Sequence, residues 1–419
     1  MKASTRLTTA VVAAAALLGA AAGSASASGA RPPHRARPGH SHGSSHRPGQ
    51  GRGPGSGHVR GPGQGPGQGP GPGRGPGPTA VFVQNDNPAG NQIVAYDRAG
   101  DGTLTQAGVY GTGGLGGALS ESVVDHVASQ GSLAYDRHDG LLYAVNPQSN
   151  TISVFSVFGD HLALRQVISS GGAFPVSIAV DRGLVYVLNA LEGGSVQGYA
   201  AGSGHLFAIP GSNRALGLNP AETPQFTHTP GQVAFSPDGS KLIVTTKGNG
   251  SDIDVFFMDP SGRPSKAPVV NSEPGAVPFA VTFDQEGNLD VSEAGTDALA
   301  SFALNPNGTV TQLDSVATGE EATCWVTAAG GYLYVSNAAS ASLSDFRSGS
   351  GGALTLLGNT PTDAGTVDGA VSGDGRYLYV QAGGAGIVDE FAIGSPGALT
   401  KIGSVVVPDA AGGEGIVAQ

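Results

Sequence analysis

The sequence predicts an all-β fold, a seven-bladed β-propeller closed by its own C-terminal strand. Three observations predict it. A unit of four short strands recurs from Ala80 onward, the first unit lacks its first strand, and the last unit carries one strand too many. The elements follow in chain order.

Residues 1–27 read as a signal peptide. Lys2 and Arg6 supply the positive start, Val11 to Ala22 is a short apolar run, and Ala25-Ser26-Ala27 is a small-residue cleavage site. The chain is therefore expected to be secreted and extracellular. The apolar run is too short to span a bilayer and no later run is long enough, so no membrane span is expected. Residues 28–78 read as a disordered Gly/Pro/Arg/His-rich linker. Glycine recurs there at alternate positions from Gly61 to Gly73, which excludes the every-third-residue period of collagen. Almost nothing in the segment is apolar, so it cannot offset the entropy of ordering. The single cysteine, Cys324, excludes an intramolecular disulfide.

Charge is sharply divided. Residues 1–78 hold nine basic residues and no acidic ones, whereas all 32 acidic residues lie in 79–419, where the net charge is near −20. A propeller this acidic repels phosphates and is not expected to bind nucleic acid. The basic tail, with arginines from Arg31 to Arg74, suits docking on an anionic cell envelope.

Residues 79–419 carry the repeat. An apolar strand, a Gly/Asp turn and a second strand recur in Leu133-Ala134-Tyr135-Asp136 to Asn146 and Ser177-Ile178-Ala179-Val180-Asp181 to Asn189. They return before Thr246, Glu293, Asn337 and Ala382. Third strands such as Ile152–Phe155 follow, and Gly102-Thr103-Leu104-Thr105, Gly308-Thr309-Val310-Thr311 and their counterparts open fourth strands. No amphipathic helix is evident. Val81–Asn85 corresponds to a second strand, and Gly415-Ile416-Val417-Ala418 matches an innermost strand. The last strand is therefore expected to complete the first blade and leave no exposed edge at the seam.

Blade topology brings two columns of residues to one end of the central channel. The first ends each second strand: Asn85, Asn146, Asn189, Thr246, Glu293, Asn337 and Ala382. The second precedes each innermost strand: Gly131, Val176, Gly231, Phe279, Cys324, Asp368 and Glu414. Asparagine at a strand end also forms turns with its own backbone. Glu293 is the exception in its column, a candidate general acid or base, with His228 as a possible partner. Asn85, Asn146, Asn189, Lys247, Asn337, Trp325, Asp368 and Glu414 are candidate ligand-binding residues of this top face. Asp368 and Glu414, on adjacent blades, offer oxygen ligands to a divalent cation. No other cofactor and no spaced metal motif is evident.

The chain resembles the lactonase-type seven-bladed propellers, the family of 6-phosphogluconolactonase and the carboxymuconate-lactonizing propellers. The features that carry the resemblance are Val233-Ala234-Phe235-Ser236-Pro237-Asp238-Gly239, Asn305-Pro306-Asn307-Gly308-Thr309, Leu333-Tyr334-Val335-Ser336-Asn337 and Gly415-Ile416-Val417-Ala418. Val277-Pro278-Phe279 and Cys324-Trp325 are similar to a secreted bacterial branch. The resemblance implies a lactone-hydrolysing site at the channel mouth. Where active members carry His-Pro-His, this chain reads Thr229-Pro230-Gly231. Where they carry Gly-Pro-Arg-His, it reads Ala276-Val277-Pro278-Phe279. Their Asn-Glu-Leu corresponds to Ser292-Glu293-Ala294, so the glutamate is retained. Loss of the arginine argues against an anionic lactone.

Two function classes follow. One is a lactonase-like hydrolase, weak because most of the family's catalytic residues are replaced. The other is a non-catalytic extracellular scaffold that binds a glycan, peptide or small molecule at the channel mouth. A cationic side chain beside Glu293 would favour the first, and Lys247 is the candidate.

Overall fold

The computed structural model describes residues 79–419. The expected signal peptide (1–27) and linker (28–78) lie outside the described residues. The described chain forms seven antiparallel sheets, six of four strands and one of five. Alternating apolar residues in each repeat leave two faces to bury, and neighbouring blades bury them against each other. The innermost strands, which line the central channel, are Ile416–Ala418, Leu133–Asp136, Pro175–Asp181, Val233–Phe235, Pro278–Phe283, Thr323–Ala329 and Thr366–Val371, numbered here as blades 1 to 7.

The ring closes as the repeat requires. Ile416–Ala418 pairs antiparallel with Ala80–Gln84, Phe82 opposite Val417. Backbone bonds from Gln84 N–H to Gly415 (2.8 Å) and from Gln419 N–H to Ala80 (2.9 Å) extend the seam. Val81, Tyr96, Tyr379 and Ile416 share one buried cluster there.

Tyrosines of three second strands tie their blades to the next. Tyr186, Tyr334 and Tyr379 are buried, and their hydroxyls donate to the carbonyls of Gly262 (2.7 Å), Gly397 (2.8 Å) and Gly102 (2.7 Å), in the outer turns of the following blades. Two of these turns need glycine twice over. Gly102 (φ 92°) and Gly397 (φ 86°) are left-handed, and a Cβ on either would lie within 2.3 Å of Tyr377 or Tyr332.

Two features depart from the regular repeat. Most blade-to-blade connections on the top face are short, as at 170–174, 273–277 and 362–365, but 112–132 and 209–232 are long. The second includes a single helical turn, Gln225–His228, where no helix was expected.

Candidate functional site

Residues 112–132 cross the channel mouth. Leu119, Val127 and Ala128 are fully buried against Val176 and Val244 of blades 3 and 4. On the far side, Trp325 Nε1 of blade 6 donates to the Ser129 carbonyl at 2.6 Å. The Gln130 side chain mimics a strand edge: its Nε2 donates to the Val326 carbonyl (3.0 Å) and its Oε1 accepts from Val326 N–H (2.9 Å). Ser129 N–H donates to Glu414 Oε1 at 3.0 Å, and His126 N–H donates to the Gly412 carbonyl at 2.7 Å. The segment thus links blades 3, 4 and 6 with the connection from blade 7 to blade 1 and seals the mouth.

Lys247 lies beneath this seal with 1% exposure. Its Nζ donates to the carbonyls of Ala128 (2.6 Å) and Phe226 (2.7 Å) and to Thr229 Oγ1 (3.2 Å), and it lies 5.2 Å from the Phe279 ring centroid. An ammonium has three N–H donors, and all three are engaged. Burial lowers its pKa to about 8, against the raising influence of Asp125 and Glu414. Lys247 therefore faces the channel carboxyls and not Glu293.

Those carboxyls are Asp86, Asp125, Asp368 and Glu414. Burial pushes Asp86 and Asp368 up to about 7 and Asp125 up to about 6, the last moderated by Lys247. Burial, with Asp125, Asp86 and Asp368 nearby, holds Glu414 well above the ordinary range, and its Oε2 has no hydrogen-bond partner. Asp86, left-handed at φ 50°, accepts from Gln84 Nε2 and from Glu414 N–H (2.9 Å). Asp368 accepts from Gly369 N–H at 2.9 Å. Among the described residues, no three acidic, histidine or cysteine side chains are arranged to hold a metal ion. Cys324 is beside this group, and burial raises its thiol well above the ordinary value, so it is a poor nucleophile. The Trp325 and Phe279 rings pack 4.8 Å apart.

Glu293 and His228 are not brought together. Glu293 is 6% exposed, and burial and Glu273 raise its pKa. Its one side-chain partner is the Thr296 hydroxyl, 3.0 Å from Oε2. His228 instead lines a shallow open cleft above blades 3 and 4, together with Glu192, Glu222, Gln225 and Asn249.

The asparagine column is internal. Asn85, Asn146, Asn189 and Asn337 have no exposure. Asn85 Oδ1 accepts from Asn87 and Gln92 N–H. Asn146 donates to Ser153 Oγ (2.8 Å), Asn189 to the Ser170 carbonyl (3.2 Å) and Asn337 to Ser344 Oγ (2.9 Å). These side chains brace strand ends and leave none of themselves on the surface. Asp86, Asp125 and Gln130 entered no repeat-based list. Asp86 lies one residue past its column, Gln130 lies one residue before Gly131 of the other, and Asp125 lies in a connection longer than most.

A family description, "Lactonase, 7-bladed beta-propeller", matches residues 115–411. Solved structures with the same fold include a candidate 6-phosphogluconolactonase from Bacteroides fragilis (19% identity, TM-score 0.66, 83% of this chain and 99% of that one). A protein from Lactobacillus plantarum (19%, 0.66, 82% and 99%) and a periplasmic gluconolactonase from Pseudomonas aeruginosa (18%, 0.65, 81% and 98%) are similar to the same degree. No curated protein sequence matches the chain significantly.

Proposed function

The chain belongs to the seven-bladed lactonase propeller family, and from that premise we propose that it is an exported binding propeller whose top face takes a small polar molecule or glycan. The observation that carries this reading is the sealed channel mouth, where residues 112–132 bond to Trp325 and cover Lys247. Hydrolysis of a lactone builds an oxyanion that aligned donors must stabilise, each contributing roughly 10²–10³-fold in rate. The Lys247 ammonium has no donor left, and Glu293 is buried with one hydroxyl partner. The basic N-terminal tail fits retention on an anionic envelope.

Slow hydrolysis of neutral lactones by Glu293 is the second reading, favoured by its position at the end of its strand and by the burial that raises its pKa, the direction a general acid needs. Both readings are tested by assaying gluconolactone and 6-phosphogluconolactone with the wild type and Glu293→Gln, alongside amide exchange of the top-face loops with a panel of small polar compounds and oligosaccharides. The binding reading expects negligible turnover and ligand-dependent protection of the loops. Fast turnover of either lactone would refute it, and loss of a slow turnover in Glu293→Gln would establish the second reading.

A further inference from the structure

Four carboxyls and one ammonium are closed in beneath the crossing segment, and the repeat shows how far they depart from it. The residue that follows each second-strand column is Pro147, Ala190, Ala294, Ala338 or Gly383 in five blades, but Asp86 in blade 1 and Lys247 in blade 4. The residue before the innermost strand is acidic only at Asp368 and Glu414. Asp86, Asp125, Asp368 and Glu414 are all buried, and Lys247 is the one cation that faces them among the described residues. One positive charge thus answers four carboxyls.

Three side chains converge at the seam between blades 7 and 1. Gln84, Asp86 and Glu414 have no exposure. Gln84 Nε2 donates to Asp86 Oδ1, and Glu414 N–H donates to Asp86 Oδ2 at 2.9 Å. Ser129 fixes the Glu414 carboxylate, its N–H and its Oγ both donating to Oε1 (3.0 and 2.9 Å). Glu414 Oε2 is turned away from Ser129 and has no partner. Gln84 Oε1 has none either, and it sits one amide width from the Asp86 carboxylate. A buried acceptor without a donor is costly, and buried charge without a counter-charge is more so. A hard cation, which takes oxygen ligands, answers both. We infer that Asp86, Glu414 Oε2 and Gln84 Oε1 form a buried calcium site under the seal, with Asp368 as a neighbouring charge. The donors are two carboxylates and an amide, so the site needs no trio of acidic, histidine or cysteine side chains. A dry site favours calcium over magnesium, which keeps several of its waters. Because Glu414 also holds Ser129, the ion fastens the crossing segment to the seam.

Melting of the whole protein after dialysis at pH 8 against calcium chloride, magnesium chloride or a chelator tests the site. Calcium at a hundredfold excess over its dissociation constant is expected to raise the melting temperature by about 5 °C over the chelated sample, and magnesium by much less. Asp86→Asn/Glu414→Gln keeps the shape of both side chains, and asparagine tolerates the left-handed backbone of Asp86 (φ 50°). This variant should melt in chelator at least as high as the wild type and lose the response to calcium. Should it fail to fold, Glu414→Gln alone carries the same test. Glu320→Gln/Glu321→Gln leaves the buried carboxyls untouched and should keep the response, which separates the site from loose binding on an acidic surface. A wild-type melting temperature indifferent to calcium overturns the inference. An equal response to magnesium, or a calcium response that survives Asp86→Asn/Glu414→Gln, overturns it as well.

Discussion

A carboxyl group that keeps its proton at neutral pH reports how dry its surroundings are, and this propeller has several. Asp86 and Asp368 are raised by burial to about 7, as are Asp254 and Asp290 on the blade strands. Each binds its proton more tightly folded than unfolded, where the value is near 3.8. Their stabilising effect is therefore complete below about pH 4 and is lost as the pH rises through 7. Asp238 acts the other way: hydrogen bonds from Ser236 and Ser240 hold it near 2, and its contribution is lost only below about pH 4. The raised groups therefore lower stability progressively between pH 4 and 8. The melting temperature should fall from pH 5 to pH 8, and Asp368→Asn should flatten the fall. A melting temperature that rises over this range would contradict the assignment. Asp368 stood out in the sequence as one of two carboxylates at matching positions of adjacent blades, whereas Asp86, one residue beyond the repeat, carried no such mark.

Among the elements, the closing strand and the crossing segment hold the ring in different ways, and only one was readable in advance. The closing strand was legible because one missing strand and one surplus strand can cancel, and Val83 opposite Ile416 is the outcome. The segment 112–132 was not legible. Its glycines, serines and alanines have no strand or helix period, and its contacts run through carbonyls of Ala128 and Ser129 that no side-chain pattern encodes. The asparagine column shows the same limit. Its alignment was visible, but whether Asn146 faces solvent or Ser153 depends on packing between strands. Deleting Glu414–Gln419 strips the first blade of its innermost strand and unpairs ladder groups. It also removes the partner of Ser129 N–H. The truncated protein should aggregate or melt far below the parent, and unchanged melting would refute non-covalent closure.

For the whole molecule, the fold and its family were both accessible from residues, because a propeller is a repeat and a repeat is visible in one chain. The site was less so. The replaced family positions, Gly231 and Phe279, predicted a weakened catalyst, but the closed mouth was beyond their reach, since it is made by backbone from elsewhere in the ring. That closure is the central claim, and the protein carries its own probe for it. Trp325 is the sole tryptophan. It lies 1% exposed beneath the segment, with Nε1 bonded to Ser129. The most direct measurement is tryptophan fluorescence of the native protein with and without acrylamide. A sealed mouth predicts blue-shifted emission that acrylamide scarcely quenches. Red-shifted emission quenched as readily as free tryptophan would mean that the mouth stands open and that the account of the site is wrong.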